Sequence, residues 1–86
     1  MSPAALERVV VRAAESVEGA RVRRPKRSVD VVHGAGRATV SFELAVGRDV
    51  PVPGLARAVQ ARVAEAVAST SGLEVESVHV TVTEIA

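Results

Sequence analysis

Two histidines, a Ser-Thr-Ser run, a pair of glutamates and a basic tract are the residues of this chain that could do chemistry. His33 falls in a turn and His79 on an alternating stretch. A zinc site draws its ligands in close sequence company, and neither histidine has any. Ser69, Thr70 and Ser71 would need a base and an orienting acid to supply a nucleophile; at the end of an amphipathic stretch they read instead as a fraying helix terminus. Glu74 and Glu76 flank the start of a strand as solvated carboxylates, not as an acid–base pair. No glycine-rich phosphate cradle precedes a helix. The chain has no cysteine, which excludes disulfides, thiolate ligands and a cysteine nucleophile. The expectation is a protein that is not an enzyme and that uses neither cofactor nor metal.

The basic tract is Arg21, Arg23, Arg24, Lys26 and Arg27 around a proline. It reads as a solvated linker over 20–28, and as a polyanion-binding patch if it binds anything, since clustered cations raise affinity for phosphate without specificity. The rest of the chain speaks against nucleic acid. The formal net charge is only +1, and Phe42 is the single aromatic residue, so there is no platform of rings on which bases could stack. No run of about 20 apolar residues would span a membrane, and the N-terminus lacks a signal-peptide pattern, so the expected location is the cytoplasm.

These residues must be positioned by a small scaffold. Eighty-six residues, 48% of them hydrophobic and mostly Val and Ala, suit one domain over 1–86 with a core of small aliphatic side chains. Ser2 and Pro3 read as the N-cap and first turn of a helix reaching about Val17, with Leu6, Val9, Val10, Ala13, Ala14 and Val17 on one stripe and Gly19 as its stop. A second, longer amphipathic helix follows Pro51. Val52, Leu55, Ala56, Val59, Val63, Ala66, Val67 and Thr70 share its apolar stripe, Pro53 suits its first turn and Gly72 its left-handed cap. Between the helices, 29–33 and 37–46 form a hairpin around Gly34, Ala35 and Gly36, with Ala38, Val40, Phe42, Leu44 and Val46 facing the core. The last stretch alternates Val78, Val80 and Val82 with Ser77, His79, Thr81 and Thr83. The order α-β-β-α-β, with a right-handed crossover through the long helix, gives an α+β fold in which two helices pack on one face of a small mixed three-stranded sheet.

In that fold the side away from the helices carries Thr39, Ser41, Ser77, His79, Thr81 and Thr83, uncharged apart from Glu43. A surface without charges does little to discourage contact, which makes this row the expected partner-binding surface.

The runs VPVPGLARAVQARVAEAV over 50–67 and STSGLEVESVHVTV over 69–82 resemble the conserved end of the alkaline shock protein family of envelope stress response proteins. The matching positions are Val52, Pro53, Ala56, Val59, Gln60, Val63, Val67, Gly72, Leu73, Val78, Val80 and Val82. Family members usually carry a strand before the first helix, for which Met1-Ser2-Pro3 leaves no room; Gly54 stands where an acidic residue is common, and Pro51 where a polar cap is. The resemblance implies a non-enzymatic cytoplasmic protein of Gram-positive or actinobacterial type. Such a protein serves envelope homeostasis as an adaptor or scaffold, contacting itself and a membrane-anchored protein partner without inserting into the membrane. The alternative is a small nucleic-acid-binding module that is similar to the KH topology and uses the 21–27 tract, although the G-x-x-G clamp of that mode is absent.

Overall fold

The computed structural model describes residues 3–85. Its elements are α1 (Pro3–Glu15), β1 (Ala20–Arg23), β2 (Asp30–Gly34), β3 (Arg37–Val46), α2 (Val52–Ser71) and β4 (Glu74–Ile85). The α+β class, the mixed sheet and the placement of both helices on one face are as the hydrophobic patterning predicts. The finer order is not, because a short strand precedes the hairpin.

That strand lies inside the segment expected to be a basic linker. In β1, Ala20 and Val22 are buried and Arg21 and Arg23 exposed, a two-residue period that the density of arginines conceals. Both β1 and β2 run antiparallel to β3, with Ala20 to Arg23 opposite Val46 to Glu43 and Asp30 to Gly34 opposite Ser41 to Arg37. Because β4 pairs with β3 along its whole length in parallel, β1 and β2 must share the other side of β3, end to end. The sheet is therefore three strands wide, and the strand on one edge is interrupted by an excursion over 24–29. Arg24, at φ 45°, turns the chain into that excursion, and its carbonyl accepts from the amides of Arg27 and Ser28 at 2.8 Å each.

The core is a single hydrophobic cluster, aliphatic apart from Phe42. Val40, Phe42, Leu44 and Val46 of β3 meet Leu6, Val10 and Ala14 of α1 and Leu55, Val59, Val63 and Val67 of α2. The four buried residues of α2 recur every fourth position and form a narrow stripe. Val52, Ala56 and Ala66, placed on that stripe from the sequence, are only half buried, and Thr70 is exposed. Each buried valine or leucine contributes about 1.5–3 kcal/mol, so the stripe is a principal bond between α2 and the sheet.

Both helix ends follow local chemistry. The first helix stops at Glu15, short of Val17, where the Ser16 hydroxyl donates to the carbonyl of Ala13. Its expected cap, Ser2, lies outside the described residues. Gly19 then adopts φ 90°, and a β-carbon there would sit 2.9 Å from the Val50 side chain, so both conformation and space call for glycine. At the end of α2, Gly72 takes φ 74° and its amide donates to the carbonyl of Ala68. In the hairpin, Gly34 pairs with Arg37, leaving Ala35 (φ 52°) and Gly36 (φ 77°) as the two turn residues, a type I′ geometry in which alanine occupies a left-handed position.

Candidate interaction surface

The sheet face away from the helices is built from alternate residues of each strand. Register places Val32, Thr39 and Ser77 in one transverse row, Asp30, Ser41 and His79 in the next, and Arg23, Glu43 and Thr81 in a third. Five of the six residues expected to form the partner-binding row thus lie together, and the Ser77 hydroxyl sits 3.2 Å from His79 Nε2. Thr83 does not join them. Register passes from Val82 opposite Leu44 to Glu84 opposite Ala45, so Thr83 is bulged out of the ladder and Glu84 takes the place expected for it.

The face is also more charged than the hairpin and last strand alone suggest. With β1 in the sheet, Arg21 and Arg23 join it. Arg23 meets Glu84 at 2.7 Å, and Arg24 meets Glu43 at 3.1 Å. Two of the five cations expected to serve a polyanion are thereby tied to acids, whereas Arg21, Lys26 and Arg27 enter no ion pair among the described residues. Lys26 and Pro25 instead close a hollow of about 500 Å³ against Glu7, Arg8, Val11 and Arg12 of α1. α1 and the excursion thus bring Arg8, Arg12 and Lys26 together beside Glu7, a pairing of distant segments that charge-counting along the chain does not reveal.

Ser69, Thr70 and Ser71, read from sequence as a fraying helix end, instead lie in an intact last turn of α2, which runs to Ser71. Ser69 and Ser71 donate to the carbonyls of Glu65 and Val67, at 2.8 and 2.6 Å. Among the described residues no group of three or more His, Cys, Asp or Glu is placed to hold a metal ion.

The sheet edges complete the surface. In a two-residue hairpin the residues flanking the turn exchange both backbone bonds, so Arg37 and every second residue after it direct N–H and C=O toward β1 and β2. The amide of Gly47 donating to Gly19 at 3.1 Å continues that series. Val40, Phe42 and Leu44 consequently bond to β4, and on β4 the backbone groups of Val78, Val80 and Val82 point away from the sheet. Gln60 of α2 marks this direction independently, since its Nε2 donates to the carbonyl oxygen of Val78 at 2.9 Å. On the opposite edge the Val22 amide donates to Glu15 Oε2 at 3.0 Å. These two caps were not apparent from sequence, where Gln60 and Glu15 stand simply as polar residues beside an apolar stripe.

No helix among the described residues is long and apolar enough to cross a membrane. Among solved structures the chain is similar to the MamM CTD. A single-substitution variant matches at 23% identity and TM-score 0.65, over 96% of this chain and 98% of that one. A copper form of another variant matches at 23% identity and TM-score 0.64, over 96% and 98%. At this identity the likeness is one of fold. No curated protein matches the sequence. The profile of the alkaline shock protein (ASP23) family, described as having a cell envelope-related function, matches residues 9–86. That span holds α2, β4 and the Gln60 bridge between them, and the chain belongs to this cell envelope-related family.

Proposed function

We propose that the protein is a non-enzymatic adaptor or scaffold of the envelope stress response, working in the cytoplasm through contacts with copies of itself and with a membrane-anchored protein. The observation that carries this reading is β4, a strand of 12 residues that among the described residues pairs only with β3 and has no charged residue from 77 to 83. Unpaired strand edges recruit other strands unless charge, proline or a covering element prevents it. Beside this edge lies the Ser/Thr row of the open face. A cell envelope-related family is a natural setting for such a surface.

The reading is tested by measuring mass by light scattering over a wide concentration range, for the native chain and for Thr81→Lys, together with recovery of a membrane protein from the native host. Thr81 is exposed and opposite Glu43 on β3, so the substitution places a cation on the contact surface without disturbing the core. Loss of both self-association and membrane recovery in Thr81→Lys is the expected result. A native chain that is strictly monomeric and recovers nothing removes the proposal.

A further inference from the structure

We propose that two copies of the chain pair antiparallel through β4 about a twofold axis at Val80, joining their sheets into one. The inference rests on reading the β4 edge as a contact surface and specifies what occupies it.

Three observations select a second copy in this register. First, the outward-bonding residues are Val78, Val80 and Val82, so an axis at Val80 lets that residue exchange both backbone bonds with its own equivalent, while Val78 exchanges with Val82 of the second copy. Second, the stretch is a palindrome of residue class about Val80: Ser77 mirrors Thr83, Val78 mirrors Val82, and His79 mirrors Thr81. A symmetric pair thereby sets valine against valine on the helix side and polar against polar on the open face, as an isologous interface requires. The helix-side row has apolar surface still to cover, since Val78, Val80 and Val82 pack on the core but are only half buried.

Third, the flanks fix the register. Bulges at Glu76 and Thr83 bound the regular segment. Moving the axis by two residues in either direction draws Glu76 or Glu84 into the ladder, so Val80 is the centre that keeps carboxylates out. Gln60 holds the carbonyl of Val78 in the single chain and yields or shares it when the amide of Val82 from a second copy arrives. The arrangement closes on itself, because the β1/β2 edge left at each end of the joined sheet is interrupted and capped by Glu15.

The test uses the full chain. Because the Val80 amide points away from β3, Val80→Pro removes a donor needed by the second copy and none needed by the fold; Val80→Lys is a companion in case proline disturbs the strand. His33→Pro does the same on the β2 edge and serves as the control. Sedimentation equilibrium is expected to show a dimer for the native chain and for His33→Pro, weakened at least about tenfold in both Val80 variants, one buried bond pair and an apolar contact being lost. The chain has no cysteine, so Val80→Cys gives a single thiol. About 5.5 Å between equivalent α-carbons of a bonded pair lies within disulfide range, and mild oxidation is expected to give a covalent dimer where Glu74→Cys gives none. A dimer indifferent to Val80→Pro and Val80→Lys overturns the proposal. So does a native chain that stays monomeric; if that monomer still binds a membrane protein and loses it on Val80→Lys, self-pairing fails while the adaptor reading stands, and if it binds nothing both fail.

Discussion

The two edges of this sheet have the same central neighbour and opposite characters. The β1/β2 edge is cut in two by the 24–29 excursion, is set with Arg21, Arg23, Asp30 and His33, and has the Val22 amide covered by Glu15. The β4 edge runs unbroken in secondary structure for 12 residues, is uncharged in its middle, and among the described residues its backbone takes one side-chain hydrogen bond, from Gln60 to Val78. Interruption, charge and side-chain caps are the devices by which sheets discourage further strands, and here nearly all of them stand on one side. The helices reinforce the difference. The stripe Leu55, Val59, Val63 and Val67 sets α2 over the β4 side of the sheet, where Val78, Val80 and Val82 stay half buried, whereas α1 packs beside β1 and delivers Glu15 to its edge. A fold this small thus distinguishes its edges with few residues, and function is expected where the guard is absent.

The largest effect erases the comparison. Leu44 is fully buried on β3, the strand both edges share, and Leu44→Ala is expected to cost about 2–5 kcal/mol through lost burial and the cavity left behind. Chemical denaturation should show the midpoint falling with the slope retained. Smaller and more selective is Glu15→Ala. It leaves the Val22 amide without its acceptor, costs about 1–2 kcal/mol, and turns the guarded edge into a second adhesive one. Light scattering should then find species larger than the native assembly; an unchanged mass would mean that the excursion over 24–29, not Glu15, is the effective guard.

The architecture was legible because period and punctuation agreed: the α2 stripe, Gly72, and the alternation in β3 and β4 each specify one answer. β1 was hidden because its apolar members, Ala20 and Val22, are few and small among arginines, and four residues carry too little periodicity to outweigh a charge run. The bulge at Thr83 was hidden for a different reason. Alternation in a sequence assumes an unbroken ladder, and the slip that exchanges Thr83 for Glu84 is visible only once β3 supplies the count. The open-face row was readable up to that point. Gln60 stood in the resemblance without a role, and what it touches depends on α2 lying beside β4, a long-range fact that no local pattern contains.

The hairpin turn offers a milder sharpening. Ala35 adopts φ 52°, where its β-carbon is crowded, and its side chain is exposed. Ala35→Asn matches the residue pair that type I′ turns favour and should add about 0.5–1 kcal/mol, read as a raised melting temperature. Since the turn fixes which backbone groups of β3 face which edge, it should do so without changing self-association.

The smallest stability effect belongs to the ion pairs beside the guarded edge. Arg23 and Glu84 are each about 46% exposed, and the Arg24 side chain 62%, so solvent screens both contacts. Arg23→Ser and Arg24→Ser are each expected to cost under about 1 kcal/mol, and the difference from the native chain should shrink as salt is raised. Their sharper reading is in polyanion binding. Both arginines already face acids, while Arg8, Arg12 and Lys26 gather around the hollow beside α1. If any polyanion binds, Arg8→Ser with Arg12→Ser should weaken it more than Arg23→Ser with Arg24→Ser in a salt-dependent titration. The reverse order would relocate the basic site to the sheet and return the β1 edge to the list of contact surfaces.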